Sequence, residues 1–523
     1  MKKRVSYLLL LAIVTAFLLC ALYFRFTAKR LIITEYESSP RPPKMRPDYS
    51  QTVIPWNIAP LNFMVEEKGT RYFVKIYSKQ GNAVEVVSRS PKIVIPERQW
   101  HALLNVNKGE KLYFDVFVEE NDGRWKRFTP ISNTIADENI DKFIVYRKIY
   151  PLYSKWNEMG IYQRNLESYE ESVVLHNKSF DYACVNCHSF LNNKTEKMLM
   201  HLRSRTGPSM LLIEDGKASN VNSQTQFGSA PMGHTAWHPS GKMIVFTIYR
   251  VRQFFHTVRR EVRDVVDLDS SMGYYVFESE ELKSNAGISR QDYLETFPAW
   301  SADGRYLYFC SAPILWADRQ KVPPERYEES KYDLMRVSYD IESDTWGELE
   351  TVLSAQDTGL SIIQPRISPD GRFLLFCMCE YSGFPAFQKN SDLYLMDLGT
   401  GQYERLGCNS EESESWHSWS SNSRWIAFSS KRGGGLFSKV YFSYVDKDGK
   451  VYKPFVLSQK DAAFYDSFVK LYQLPELVSS AIPVMGEGLA HVVRLPREGL
   501  GQIPVTSATA PAGSSGPWQR DVD

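Results

Sequence analysis

Four segments of the 523-residue chain align without gaps: AWHPSGKMIVFTI from Ala236, AWSADGRYLYFCS from Ala299, RISPDGRFLLFCM from Arg366 and SWSSNSRWIAFSS from Ser418. Each has an apolar anchor (Trp237, Trp300, Ile367, Trp419), a tight polar turn and a basic residue (Lys242, Arg305, Arg372, Arg424). Large apolar residues then alternate, ending at Phe246, Phe309, Phe376 or Phe428. Alternation with period two after a tight turn is the pattern of a β-hairpin. Glycine holds the turn position that needs positive φ in three of the four copies; Ser423 is the exception.

Between the copies lie second strand pairs, such as GYYVFES, YDLMRVSYDIESDTWGELETV and SDLYLMDLGTGQYERL. Two hairpins per unit make a four-stranded blade, and a radial array of blades is a β-propeller. An unmatched pair at 209–222 adds to the four visible units, so five to six blades are expected over residues 208–475. The turns resemble the TolB-like branch of WD40-like repeats, over roughly half the chain. RVRQFFHTVRREVRDVVDLD and LWADRQKVPPERYEESK read as surface insertions. In the first, Glu261, Asp264, Asp267 and Asp269 interleave with the arginines, as in a solvated loop.

The N-terminus carries Lys2, Lys3 and Arg4 ahead of an uncharged run from Val5 to Phe24. Twenty residues at helical rise span a bilayer core, so residues 1–30 are expected to be an uncleaved signal anchor, a transmembrane helix. Residues 31–50, rich in proline, read as a tether. Period-two alternation over 51–148 predicts a β-sandwich of immunoglobulin or fibronectin type III kind. In KLYFDVFVEE, Leu112, Phe114, Val116 and Val118 fall on one face. The tail, 476–523, is expected to be flexible.

Residues 149–207 read as a short, mostly helical segment around CVNCH. Two thiols spaced to reach both vinyl groups of a porphyrin, with histidine next, meet the demand of c-type haem attachment: Cys184 and Cys187 for the thioethers, His188 as proximal iron ligand. A zinc site would need a second ligand pair nearby, and the next cysteine is Cys310; a redox dithiol would want a βαβ setting. For the distal position His201 ranks ahead of Met200, with Met198 third. The architecture resembles membrane-anchored proteins that pair one c-type haem segment with a TolB-like propeller, a resemblance covering about residues 50 to 472. It implies one covalent haem c at these positions.

Cys310 and Cys377 read as buried small apolar residues, and a pairing of Cys379 with Cys408 stays open. His238 falls at a turn position and is expected on the solvent side, whereas His234 and His417 precede inner strands near a propeller channel. There is no Walker loop, HExxH or GxSxG, and a net charge of +1 gives no pointer to nucleic acid. The chain is therefore expected to be mainly β and held to the cytoplasmic membrane with its bulk periplasmic. Its expected work is electron transfer with a redox protein partner; a haem enzyme using the channel, and a protein-binding scaffold with structural haem, are the alternatives.

Overall fold

The repeated turn has a simple chemical basis. In the computed structural model, Ser301 Oγ donates to Asp303 Oδ1 at 2.6 Å and accepts from the Tyr306 amide at 2.9 Å, closing the turn across its own neck. Ser368 with Asp370 and Phe373, and Ser420 with Asn422 and Trp425, repeat the same bonds. The residue that follows is left-handed in every copy: Gly241, Gly304, Gly371 and Ser423 have φ between 62° and 74°. Ser423 adopts the glycine conformation despite its side chain, and its hydroxyl accepts from the Asp370 amide of the preceding unit at 2.9 Å.

The structure describes residues 31–150, 158–204, 207–225, 228–258 and 261–497. The expected membrane helix, residues 1–30, lies outside them. Among the described residues no helix is long and apolar enough to cross a membrane.

The chain is mainly β, and its larger part is a six-bladed propeller. Blades 2 to 6 run in chain order, each with its inner strand first: Cys184–Leu191, Gly228–Trp237, Tyr293–Trp300, Ser361–Ile367 and Glu414–Trp419. Blade 1 joins both ends of the ring. Its outer strands are Phe143–Ile149, Gly160–Asn165 and Glu171–His176, and its inner strand is Leu471–Val478, paired antiparallel to Phe143–Ile149. That pairing closes the ring and abolishes an open edge.

Several expectations are corrected here. The propeller begins near residue 143 rather than 208 and takes in the start of the supposed tail. Helix Glu487–Arg494 then packs Leu489 and Ala490 into the core shared by blades 1 and 2. The segment 149–207 is not mostly helical: apart from a 3-10 turn at Asn177–Ser179, its described regular structure is strands of blades 1 and 2, and CVNCH opens the inner strand of blade 2. The tether 31–50 contributes strands Glu37–Ser38 and Met45–Arg46 to the N-terminal body.

That body has a seven-stranded sheet facing a three-stranded one, with helix Glu97–Asn105 alongside. Leu112, Phe114, Val116 and Val118 are buried on one face, as their alternation predicts. They share one apolar core with Phe63 and Ile93 of the smaller sheet, and with Trp425 and Phe442 of blade 6. The N-terminal body and the propeller are thus one packed unit.

The long insertion of blade 3 is also not a solvated loop. Strands Met243–Phe255 and Arg263–Val276 form a hairpin that lies against blades 4, 5 and 6. Asp264 accepts from Tyr381 at 2.7 Å, Asp267 from Tyr332 at 3.1 Å, and Lys431 pairs with Glu261. Arg263 sits 4.2 Å from the Phe387 ring centre. Its alternating apolar residues, among them Val266 and Leu268, are buried in the core of blades 4 to 6.

Candidate functional site

All six inner strands break in the same place. Register slips between Val185 and His188, Gly233 and Ala236, Thr296 and Ala299, Ile363 and Arg366, and Ser415 and Ser418. In blade 1 the slip spans Gln473 to Glu476. Each slip is a β-bulge of two residues, and in five blades its first residue is left-handed: His234, Phe297, Gln364, Trp416 and Leu474. Aligned on the bulge, the blades read NCHS, HTAW, FPAW, QPRI, WHSW and LPEL, starting at Asn186, His234, Phe297, Gln364, Trp416 and Leu474. The supposed haem motif is therefore blade 2's copy of a channel-lining bulge.

The bulges converge on a cavity of about 50 Å³ lined by Cys187, His188, His234, Phe297, Arg366, Trp416, His417 and Glu476, among others. A second cavity of about 110 Å³ shares Arg366 and Glu476 and continues toward Asn192 and Trp419. Arg366 Nη2 bonds Glu476 Oε1 at 2.6 Å on the boundary of the two. Burial lifts the Glu476 carboxyl above its usual range, against the pull of Arg366.

His188, His201 and His417 are buried, and His234 on the channel wall is half-buried. Burial pushes His188, His201, His234 and His417 down to about 3, and nearby guanidiniums add to it, Arg147 at His188 and Arg203 at His201 and His234. His417 is tied by Leu375 O at 3.1 Å and Cys377 Sγ at 3.6 Å. His234 stacks 5.0 Å from Tyr249 and 6.2 Å from Trp416, centre to centre. Both lie at the channel, as expected from sequence. His238 is corrected: it is buried, sharing hydrogen bonds with Ser240 Oγ at 2.7 Å and Gly304 O at 3.1 Å.

The residues expected to hold haem do not converge. Cys184 Sγ packs 3.8 Å from Met159 Sδ in the core toward blade 1, and burial raises its thiol pKa. Cys187, on the bulge, turns toward blade 3, with Sγ 3.9 Å from His234 Nδ1. His188 turns back toward blade 1, near the backbone carbonyls of Val145 and Leu474. Neither of its ring nitrogens has a partner in hydrogen-bonding geometry.

Met200 and His201 are consecutive on a strand and so point to opposite faces. Met200 lies beside His188 in the core shared with blade 1, together with Met198. His201 bonds Thr235 Oγ1 of blade 3 at 2.7 Å. His188 and His201 cannot flank one iron from these positions. A porphyrin needs a slot of several hundred Å³, as ligands of its size do. The cavity at Cys187 and His188 holds about 50 Å³, room for a few waters. The residues as folded do not fit a covalent haem.

Among the described residues no group of three or more His, Cys, Asp or Glu could hold a metal ion. The described cysteines are all free, Cys379 and Cys408 included. A cavity of about 580 Å³ lies between the N-terminal body and blade 1 and is lined by Trp56, Glu97, His101, Glu167 and Glu170, among others.

No family model matches the chain, and no curated protein matches it. Solved structures show distant likeness only. A chain of a nidogen–laminin complex is 8% identical, with 65% of this chain and 100% of that one covered, at a TM-score of 0.36. The Dos1 propeller is 12% identical over 53% and 66%, at 0.30. A prolyl endopeptidase is 15% identical at 0.32, and the match spans 36% of its length.

Proposed function

We propose that the chain is a membrane-tethered, extracytoplasmic recognition scaffold: a closed TolB-like propeller, fused to an immunoglobulin- or fibronectin-like spacer, that docks another protein. The observation behind this reading is the channel itself. The six bulges narrow the axis to hollows of about 50 and 110 Å³ around the Arg366–Glu476 pair, and the blade 3 hairpin lies across blades 4 to 6. Hollows of that size are well below those that enclose a substrate of ordinary size, which leaves the outer faces of the propeller for binding. The N-terminal run after Lys2, Lys3 and Arg4 supplies the tether in this proposal.

The deciding experiment is a Cys184→Ala, Cys187→Ala double variant expressed in its native membrane. The scaffold reading expects it to fold, losing about 1–3 kcal/mol for two small buried truncations. It also expects the same site-specific photocrosslinks to a partner as the parent chain. Loss of the crosslinks from a folded variant defeats it.

A second reading, a monohaem carrier with haem on Cys184 and Cys187, rests on one observation: His188 is buried with both ring nitrogens unpartnered. It requires the inner strand of blade 2 to leave its present place.

A further inference from the structure

Arg147 is 6% exposed and is held between the inner strands of blades 2 and 1 by Asn186 and Gln473. Its Nη1 donates to Asn186 Oδ1 at 2.6 Å and its Nη2 to Gln473 Oε1, while Nε has no partner. Both partners are neutral amides, and among the described residues no carboxylate is in ion-pair range. A buried guanidinium without a counter-charge is costly, by several kcal/mol.

The rest of the neighbourhood does not supply that charge. Arg147, Arg203 and Arg366 all act on the channel histidine His234. Glu476 is the carboxylate lining the same cavity, and it is committed to Arg366. Beside Arg147, the buried imidazole of His188 lines the cavity with its ring nitrogens unpartnered. A net positive hollow with an N–H donor that lacks a well-aligned acceptor favours an anion over water.

We propose that the channel binds a small monovalent anion of one to three heavy atoms, accepting from the His188 ring N–H and balancing Arg147. The volume of about 50 Å³ sets the size limit, admitting chloride or formate and excluding sugar acids. The site does not depend on partner docking: a chain that docks nothing would still bind the anion.

The test is thermal unfolding of the full chain at fixed ionic strength, replacing sodium gluconate with sodium chloride or sodium formate. Tm rises saturably, by about 2 °C or more, with either small anion. In Arg147→Gln the saturable rise is lost, in Arg147→Lys it is weakened, and in the surface control Arg305→Gln it is unchanged. Should Arg147→Gln fail to fold, ring-15N NMR of His188 in the parent chain decides: a saturable shift on adding formate supports the site. A parent chain with equal Tm in all three salts, a rise that persists undiminished in Arg147→Gln, or a His188 signal indifferent to formate overturns it. So does a covalent haem on Cys184 and Cys187.

Discussion

Cys187 and His188 are neighbours in sequence that serve different interfaces: the Cys187 thiol lies 3.9 Å from His234 Nδ1 of blade 3, and the His188 ring turns toward Val145 and Leu474 of blade 1. A bulge in an inner strand separates them. From that one relationship follows the change in how CVNCH is read.

Asp267 gives a pH signature. It is buried where the blade 3 hairpin meets Tyr332, and burial lifts its carboxyl to about 7, with the Tyr332 hydroxyl opposing. The folded pKa stands above the unfolded one, so this group's contribution is complete below about pH 4 and is lost as pH rises through 7. Urea midpoints should fall between pH 5 and pH 8, and Asp267→Asn should remove roughly 2–4 kcal/mol of that fall. An Asp267→Asn curve parallel to that of the parent refutes the assignment.

Two turn glycines separate backbone strain from crowding. Gly371→Ala meets only Ala302 Cβ at 3.4 Å, so its cost is the left-handed backbone, about 1–2 kcal/mol. Gly304→Ala places a methyl 2.4 Å from His238 Nε2, which is itself bonded to Gly304 O. Chemical denaturation should show Gly304→Ala as clearly the more damaging; equal losses would mean that His238 is free to move.

Ring closure rests on the C-terminal strand. Ending the chain at Lys470 removes the inner strand of blade 1, with Leu471, Tyr472, Leu477 and Val478 from the core. The shortened protein should lose its cooperative unfolding transition and aggregate on size exclusion. A monomer melting at the parent temperature would show that the ring closes otherwise.

The sequence made blades 3 to 6 readable because His238, Ser301, Ser368 and Ser420 head turns closed by a bond to the Ser, Asp or Asn two residues on, with a left-handed residue at fixed spacing. Blades 1 and 2 escaped for different reasons. Blade 2 turns on Asn192 and Asn193, both left-handed, a two-residue hairpin with no room for the repeated turn, and has Ser189 where blades 3 to 6 have Trp or Ile. Blade 1 is split between the two ends of the ring, so no contiguous repeat exists to be found. The available signal was Pro475, which takes the bulge position of Pro298 and Pro365. The helical setting expected for CVNCH failed because a spacing pattern carries no information about backbone conformation: three residues span one helical turn, or cross an extended strand from face to face. The channel positions of His234 and His417 could be read, since they follow from hairpin register alone.

The most direct test is the intact mass and visible spectrum of the protein produced in a host that attaches c-type haem. The strand reading predicts the unmodified polypeptide mass, no Soret band, and thiols at Cys184 and Cys187 that alkylate only after unfolding. A chain carrying covalent haem on those two cysteines would contradict it.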